Sequence, residues 1–140
     1  MRYRKGFTLV ELVVVVMILG ILATIAVPKL LGTAKRATDN GLKQTLASVR
    51  DAIELYTADN DGALPGQSSD LPGDLTPYLR ADFPVSPVGA KVGTITYATG
   101  ALSADASPTT GWKYATDTGE FIVNCDDNLA SDSSVAYEDL

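Results

Sequence analysis

A run of apolar residues from Phe7 to Val27, broken by a single charge at Glu11, constrains this chain more than any other part of it. At a rise of about 1.5 Å per residue, such a run reaches roughly 30 Å, the thickness of a bilayer core. The β-branched string Val13-Val14-Val15-Val16 would suit a strand in water. A strand needs far fewer residues, however, and an unpaired strand cannot sit in lipid. The run therefore reads as one transmembrane helix, and Arg2, Arg4 and Lys5 before it put its start on the cytoplasmic side. A cleaved secretory signal would need a shorter apolar core. Glu11 is the anomaly, because a carboxylate at the centre of a span costs roughly 2.5–3.5 kcal/mol, and less near an end. It is either a first-turn acid favoured by the helix dipole or an acid that meets a positive group from a neighbouring chain.

The string Lys5-Gly6-Phe7-Thr8-Leu9-Val10-Glu11 resembles the processing site of type IV prepilins and of the related pseudopilins of type II secretion, the major pseudopilin above all. Gly20 and Pro28 also fall where that family has them. The resemblance implies that a membrane-embedded prepilin peptidase cuts between Gly6 and Phe7 and that the new amine of Phe7 is N-methylated. It implies further that Glu11 pairs with the Phe7 amine of an adjacent subunit in a filament, and that the segment from Gly20 to Pro28 loosens on assembly. An inner-membrane assembly platform and related pilins are implied as partners.

Composition narrows the rest. The formal net charge is −6, and of 17 acidic residues only Glu11 precedes Arg36. The outer part is strongly acidic, which disfavours direct nucleic-acid binding. The chain contains no His and one Cys, Cys125. It thus lacks the commonest general base, cannot form an intrachain disulfide and cannot build a Cys/His zinc site. Many type IV pilins close a C-terminal loop with a disulfide, and departure from that pattern favours a secretion pseudopilin.

Beyond Pro28, which lacks an N–H and leaves the Thr24 carbonyl without its helical donor, the pattern turns amphipathic. Leu42, Leu46, Val49, Ile53 and Tyr56 step by three and four along one helix face. Gly62 suits a left-handed cap and Pro65 bars continuation, so the helix ends near Ala58. The acids before Gly62 fail the EF-hand pattern, because Thr57 and Ser68 stand at its first and last ligand places. A short helix is expected within Gly73–Arg80 with Asp74 as its cap, and Phe83 and Val85 are expected to anchor the loop. Strands are expected at Thr94–Thr99, Trp112–Thr116 and Glu120–Asn124. The last two form a hairpin around Asp117-Thr118-Gly119, and the aromatic residues cover the helix stripe.

The acidic segment Asp126–Ser134 reads as a flexible solvated tail. Asp126, Asp127 and Asp132 are the residues that would hold calcium if the head bound it; no other metal or cofactor is expected. The expected fold is α+β and pilin-like: a leader (1–6), a transmembrane helix (7–28), an amphipathic helical half (29–60) and a loop with a small antiparallel sheet (61–140). The expected function is a structural subunit that polymerises into a secretion pseudopilus, not an enzyme. The alternatives are a type IV or competence pilus subunit, or a membrane-tethered binding protein that never polymerises.

Overall fold

Leu, Ile and Ala at helical spacing carry the first element far beyond the apolar run. The computed structural model describes residues 6–140, apart from the side chain of Leu31; the basic leader residues Arg2, Arg4 and Lys5 lie outside the described residues. Helix α1 spans Leu9–Asp59, with Pro28 inside it. It stops where the sequence demands: Asp61 and Gly62 take positive φ of 56° and 88°, and the Gly62 N–H donates to the Thr57 carbonyl at 2.9 Å. That bond closes the last turn over itself.

The described residues fall into two units, one ending at Lys35 and the other running from Arg36 to Leu140. In the first, every residue from Gly6 to Leu30 is exposed. It contains an 18-residue window of mean hydropathy 2.8, long and apolar enough to cross a membrane.

The second unit is α+β, as expected. It contains the outer part of α1, the short helix α2 (Leu71–Leu75), strands β1 (Ile95–Ala98), β2 (Trp112–Ala115) and β3 (Phe121–Val123), and a closing 3-10 turn at Tyr137–Asp139. The sheet order is β1-β2-β3. β2 and β3 form the expected antiparallel hairpin, with Trp112 opposite Val123 and Tyr114 opposite Phe121, and Gly119 takes the positive φ of 77° that its turn needs.

The all-antiparallel expectation fails at β1, which runs parallel to β2 with Ile95 beside Trp112 and Ala98 beside Ala115. The reason is the length of segment 99–111, for about a dozen residues suffice to carry the chain back for a parallel pairing. That crossover is tied down by the single ion pair among the described residues, Lys113 Nζ to Asp105 Oδ1 at 2.7 Å. The buried Asn124 assists, donating to Asp105 Oδ2 at 2.9 Å and to Thr110 at 3.0 Å. The hydrogen bonds from Lys113 and Asn124 hold the Asp105 carboxyl below its ordinary pKa. Gly111 enters β2 so close to Val92 that a Cβ would stand 1.9 Å from its carbonyl oxygen, and only glycine passes there.

The expected stripe is the core. Leu42, Leu46, Val49 and Ile53 are buried against Trp112, Tyr114, Phe121 and Val123. Trp112 stacks on Phe121 with centroids 5.2 Å apart. Arg50 ties helix to sheet through two donors on the Phe121 carbonyl, at 3.1 and 2.8 Å.

Three local expectations need correction. The short helix begins earlier, at Leu71, because Pro72 fits a first turn where its missing N–H costs nothing. Its cap is Asp70, which accepts the Gly73 N–H at 3.1 Å, while Asp74 instead accepts the Gly66 N–H at 2.7 Å. Phe83 does pack, edge-on to Phe121, but Val85 is 60% exposed and Val88 packs on the core in its place. The segment from Asp126 onward is not a free tail. Leu129 and Tyr137 are buried, and Asn128 pairs with Ala136.

Candidate functional site

The N-terminus of α1 is built by a four-residue pattern, Thr8-x-x-Glu11. Thr8 stands just before the first helical residue. Its N–H and its hydroxyl both donate to Glu11 Oε2, at 2.9 and 2.8 Å. The Glu11 N–H donates back to Thr8 Oγ1 at 3.2 Å. This is a reciprocal capping box, which satisfies helix N–H groups that would otherwise have no partner. Both residues are exposed, and so are Gly6 and Phe7, the latter 80% exposed.

The carboxylate is therefore not stranded within its own chain. Oε2 is engaged twice, while Oε1 meets no donor among the described residues. Sequence reasoning singled out Glu11 and missed Thr8, although the Thr-x-x-Glu spacing carries the signal. Gly20 and Pro28 lie within the helix, and the Gly20 carbonyl accepts a hydrogen bond from the Thr24 hydroxyl at 2.9 Å.

The acids at the other end do not gather into a cation site. Asp132 Oδ1 accepts both the N–H and the hydroxyl of Ser134, at 3.0 and 2.6 Å. Asp127 lies near the Cys125 thiol at 3.8 Å and gives its carbonyl to the Tyr137 N–H. Asp126 is exposed. Among the described residues no group of three or more His, Cys, Asp or Glu is placed to hold a metal ion. Burial pushes the Cys125 thiol pKa up, and the residue is a free, buried cysteine.

A second polar centre went unnoticed in the sequence. Asp39, on the buried side of α1, is 1% exposed. Its Oδ1 accepts the Tyr137 hydroxyl at 2.7 Å and its Oδ2 accepts the Ser131 N–H at 2.8 Å. The Tyr137 oxygen in turn accepts the Ala130 N–H at 3.1 Å. Burial pushes the Asp39 carboxyl up, and the hydrogen bonds from Ser131 and Tyr137 outweigh it, so its pKa lies below the ordinary value. The signal available was weak: one acid, three residues before the apolar stripe.

Comparison with known proteins bears on the N-terminal site. A family model described as the prokaryotic N-terminal methylation motif matches residues 1–27. The chain is 43% identical over 60 residues to the type II secretion system core protein G of Vibrio cholerae serotype O1, an alignment covering 43% of this chain and 41% of that protein. It is 38% identical over 60 residues to the core protein G of Klebsiella pneumoniae, covering 43% of each. It is also 39% identical over 69 residues to the type IV wide pilus major component of Thermus thermophilus, covering 49% of this chain and 53% of that protein. The chain thus spans about two fifths to one half of the length of the relatives it matches. No solved structure matches it.

Proposed function

We propose that this chain is a structural subunit that polymerises into a type II secretion pseudopilus. It is made as a precursor, held in the inner membrane by the apolar part of α1 with its start in the cytoplasm and its head outside. A prepilin peptidase cuts between Gly6 and Phe7, and the Phe7 amine is N-methylated. The chain is a substrate of that chemistry and not a catalyst. Its partners are further copies of itself, related pilins, the assembly platform and, before assembly, membrane lipid.

The observation that carries the reading is the stem: from Gly6 to Leu30 every residue is exposed, and Glu11 is the one acid among them. Such a surface has to be covered, first by lipid and then by the stems of neighbouring subunits. Glu11 already caps its own helix through Oε2. Its Oε1 faces no donor among the described residues, so the amine of another copy's Phe7 can bind it while the capping box stays closed. On this reading the segment Gly20–Pro28, helical throughout in α1, loosens in the same step.

N-terminal mass spectrometry of membrane-extracted protein, from cells that have the peptidase, tests the reading. The expected first residue is N-methylated Phe7; an intact Met1 overturns it. A type IV pilus is the second reading, favoured by the likeness to the Thermus thermophilus pilus component. Loss of protein secretion on deletion supports the first reading, and loss of surface filaments with secretion intact supports the second.

A further inference from the structure

We infer that the head carries a self-docking surface, in which the Val85 turn of one copy seats in a groove between Ile53, Thr57, Leu64 and Gly119 of the next. The inference rests on the reading of the chain as a polymerising subunit.

Among the described residues beyond Leu30, only Leu55 and Val85 are large apolar side chains left exposed, at 55% and 60%. A single exposed valine needs no explanation in itself. Its setting does. Val85 lies between Pro84 and Ser86, and both neighbours are pinned. The Pro84 carbonyl accepts the indole N–H of buried Trp112 at 2.9 Å. Ser86 is 1% exposed; its N–H donates to the Val92 carbonyl at 3.2 Å and its hydroxyl to the Val88 carbonyl at 2.9 Å. The backbone is thus fixed on both sides of a side chain that touches its own fold beside Gly93 and leaves 60% of its surface exposed. Such a side chain loses little freedom on docking, which makes it a preorganised knob.

The hole is on the other side of the helix. A groove of about 610 Å³ lies among Ile53, Thr57, Leu64 and Gly119, with the acids Glu54 and Asp61 also on its wall. Gly119 lets Leu64 pack close at the groove's edge, since a Cβ there would stand 2.8 Å from Leu64 Cδ2. At 3.6 residues per turn, Glu54, Thr57 and Ala58 lie to one side of the buried Leu42–Ile53 stripe. Gly41, Thr45 and Ser48, which line a separate groove together with Pro84, lie to the other. Knob and hole therefore occupy opposite flanks of α1, and they differ in level by about a dozen residues, or on the order of 15 Å.

A contact between unlike patches on opposite flanks, displaced along the axis, cannot close into a dimer and propagates as an open helical path. Charge agrees, for the turn that carries Val85 also carries the exposed Lys91, opposite in sign to Glu54 and Asp61 on the groove.

The test pairs Val85→Cys with Ala58→Cys in full-length chains assembled in cells, followed by a short bifunctional maleimide and a denaturing gel. A ladder extending beyond dimers from the double variant, absent from each single variant, is the expected result. Filaments that assemble without a ladder, or dimers from Val85→Cys alone, overturn the docking while leaving polymerisation in place. A wild-type chain that forms no filaments overturns the polymerisation reading and the docking with it. In parallel, Val85→Asp is expected to abolish or shorten filaments with the head's melting temperature unchanged; normal filaments from that variant overturn the inference.

Discussion

The two units of this chain treat apolar side chains in opposite ways. From Phe7 to Leu30 the stem exposes Leu, Val, Ile and Met throughout, while the head leaves Trp112, Tyr114, Leu42 and Val49 no solvent at all. The stem spends its apolar surface on whatever surrounds it, and its own stability as a helix needs only satisfied backbone and a cap. The head spends its apolar surface on itself, so its residues answer to packing density and buried hydrogen bonds. Substitutions in the stem should therefore act on assembly with the head's melting unchanged. Substitutions in the head core should act on melting first and on assembly only through it.

Glu11→Leu makes the sharpest test of that division. It should leave membrane insertion and head melting intact and abolish filament formation, scored by shearing and electron microscopy; normal filaments would break the comparison from the stem side. Trp112→Ala is its counterpart. It removes a fully buried ring and should cost about 3–5 kcal/mol of head stability, read from denaturant melts of the detergent-solubilised chain.

Asp39→Ala comes next, at about 1.5–3 kcal/mol, because it leaves the buried Tyr137 hydroxyl, and with it the Ser131 N–H, without a charged acceptor. Its pH dependence has a definite sign. A carboxyl whose folded pKa is lowered stabilises fully above the unfolded value of about 3.9 and loses that contribution as pH falls further. Melts of wild type and variant should converge on acidification through that range.

Tyr114→Phe should cost about 1 kcal/mol, the loss of one hydrogen bond to the Pro65 carbonyl. Burial, with Asp74 adding to it, holds the Tyr114 phenol up at about 12. Its contribution is therefore present below the unfolded value of about 10 and should fade as pH rises towards the folded one, a change visible as tyrosinate absorbance. Smallest of all, Cys125 should resist maleimide in the folded head and react once the head is unfolded, since its thiol is buried and its pKa is raised.

Most of the stem was legible in the sequence because length and hydropathy act locally, and the helix stripe from Leu42 to Ile53 was legible because helical periodicity is local too. The β2–β3 hairpin was legible for the same reason, through Gly119. What escaped depends on distance. β1 reads as a strand from alternation alone, but nothing in Ile95–Ala98 states which way it runs, and direction follows from the path of 99–111. The tail reads as solvated because its acids and serines dominate the composition, yet Ser131 and Tyr137 bond to a helix residue some 90 positions away, Asp39. Thr8 was missed for a different cause. Its hydroxyl sits in an apolar run, and its capping role shows only in the three-residue spacing to Glu11.

The crossover between β1 and β2 has a practical consequence. Its N–H groups at Leu102, Ala104 and Asp105 are each held, by Glu120, Glu138 and Asn124, while Ala106, Ser107 and Thr109 sit outside on small exposed side chains. A foreign peptide spliced in between Ser107 and Pro108 would hang from two anchored ends and leave the sheet undisturbed. Each subunit would then present one such epitope, and a fibre of them would be a regularly spaced antigen array.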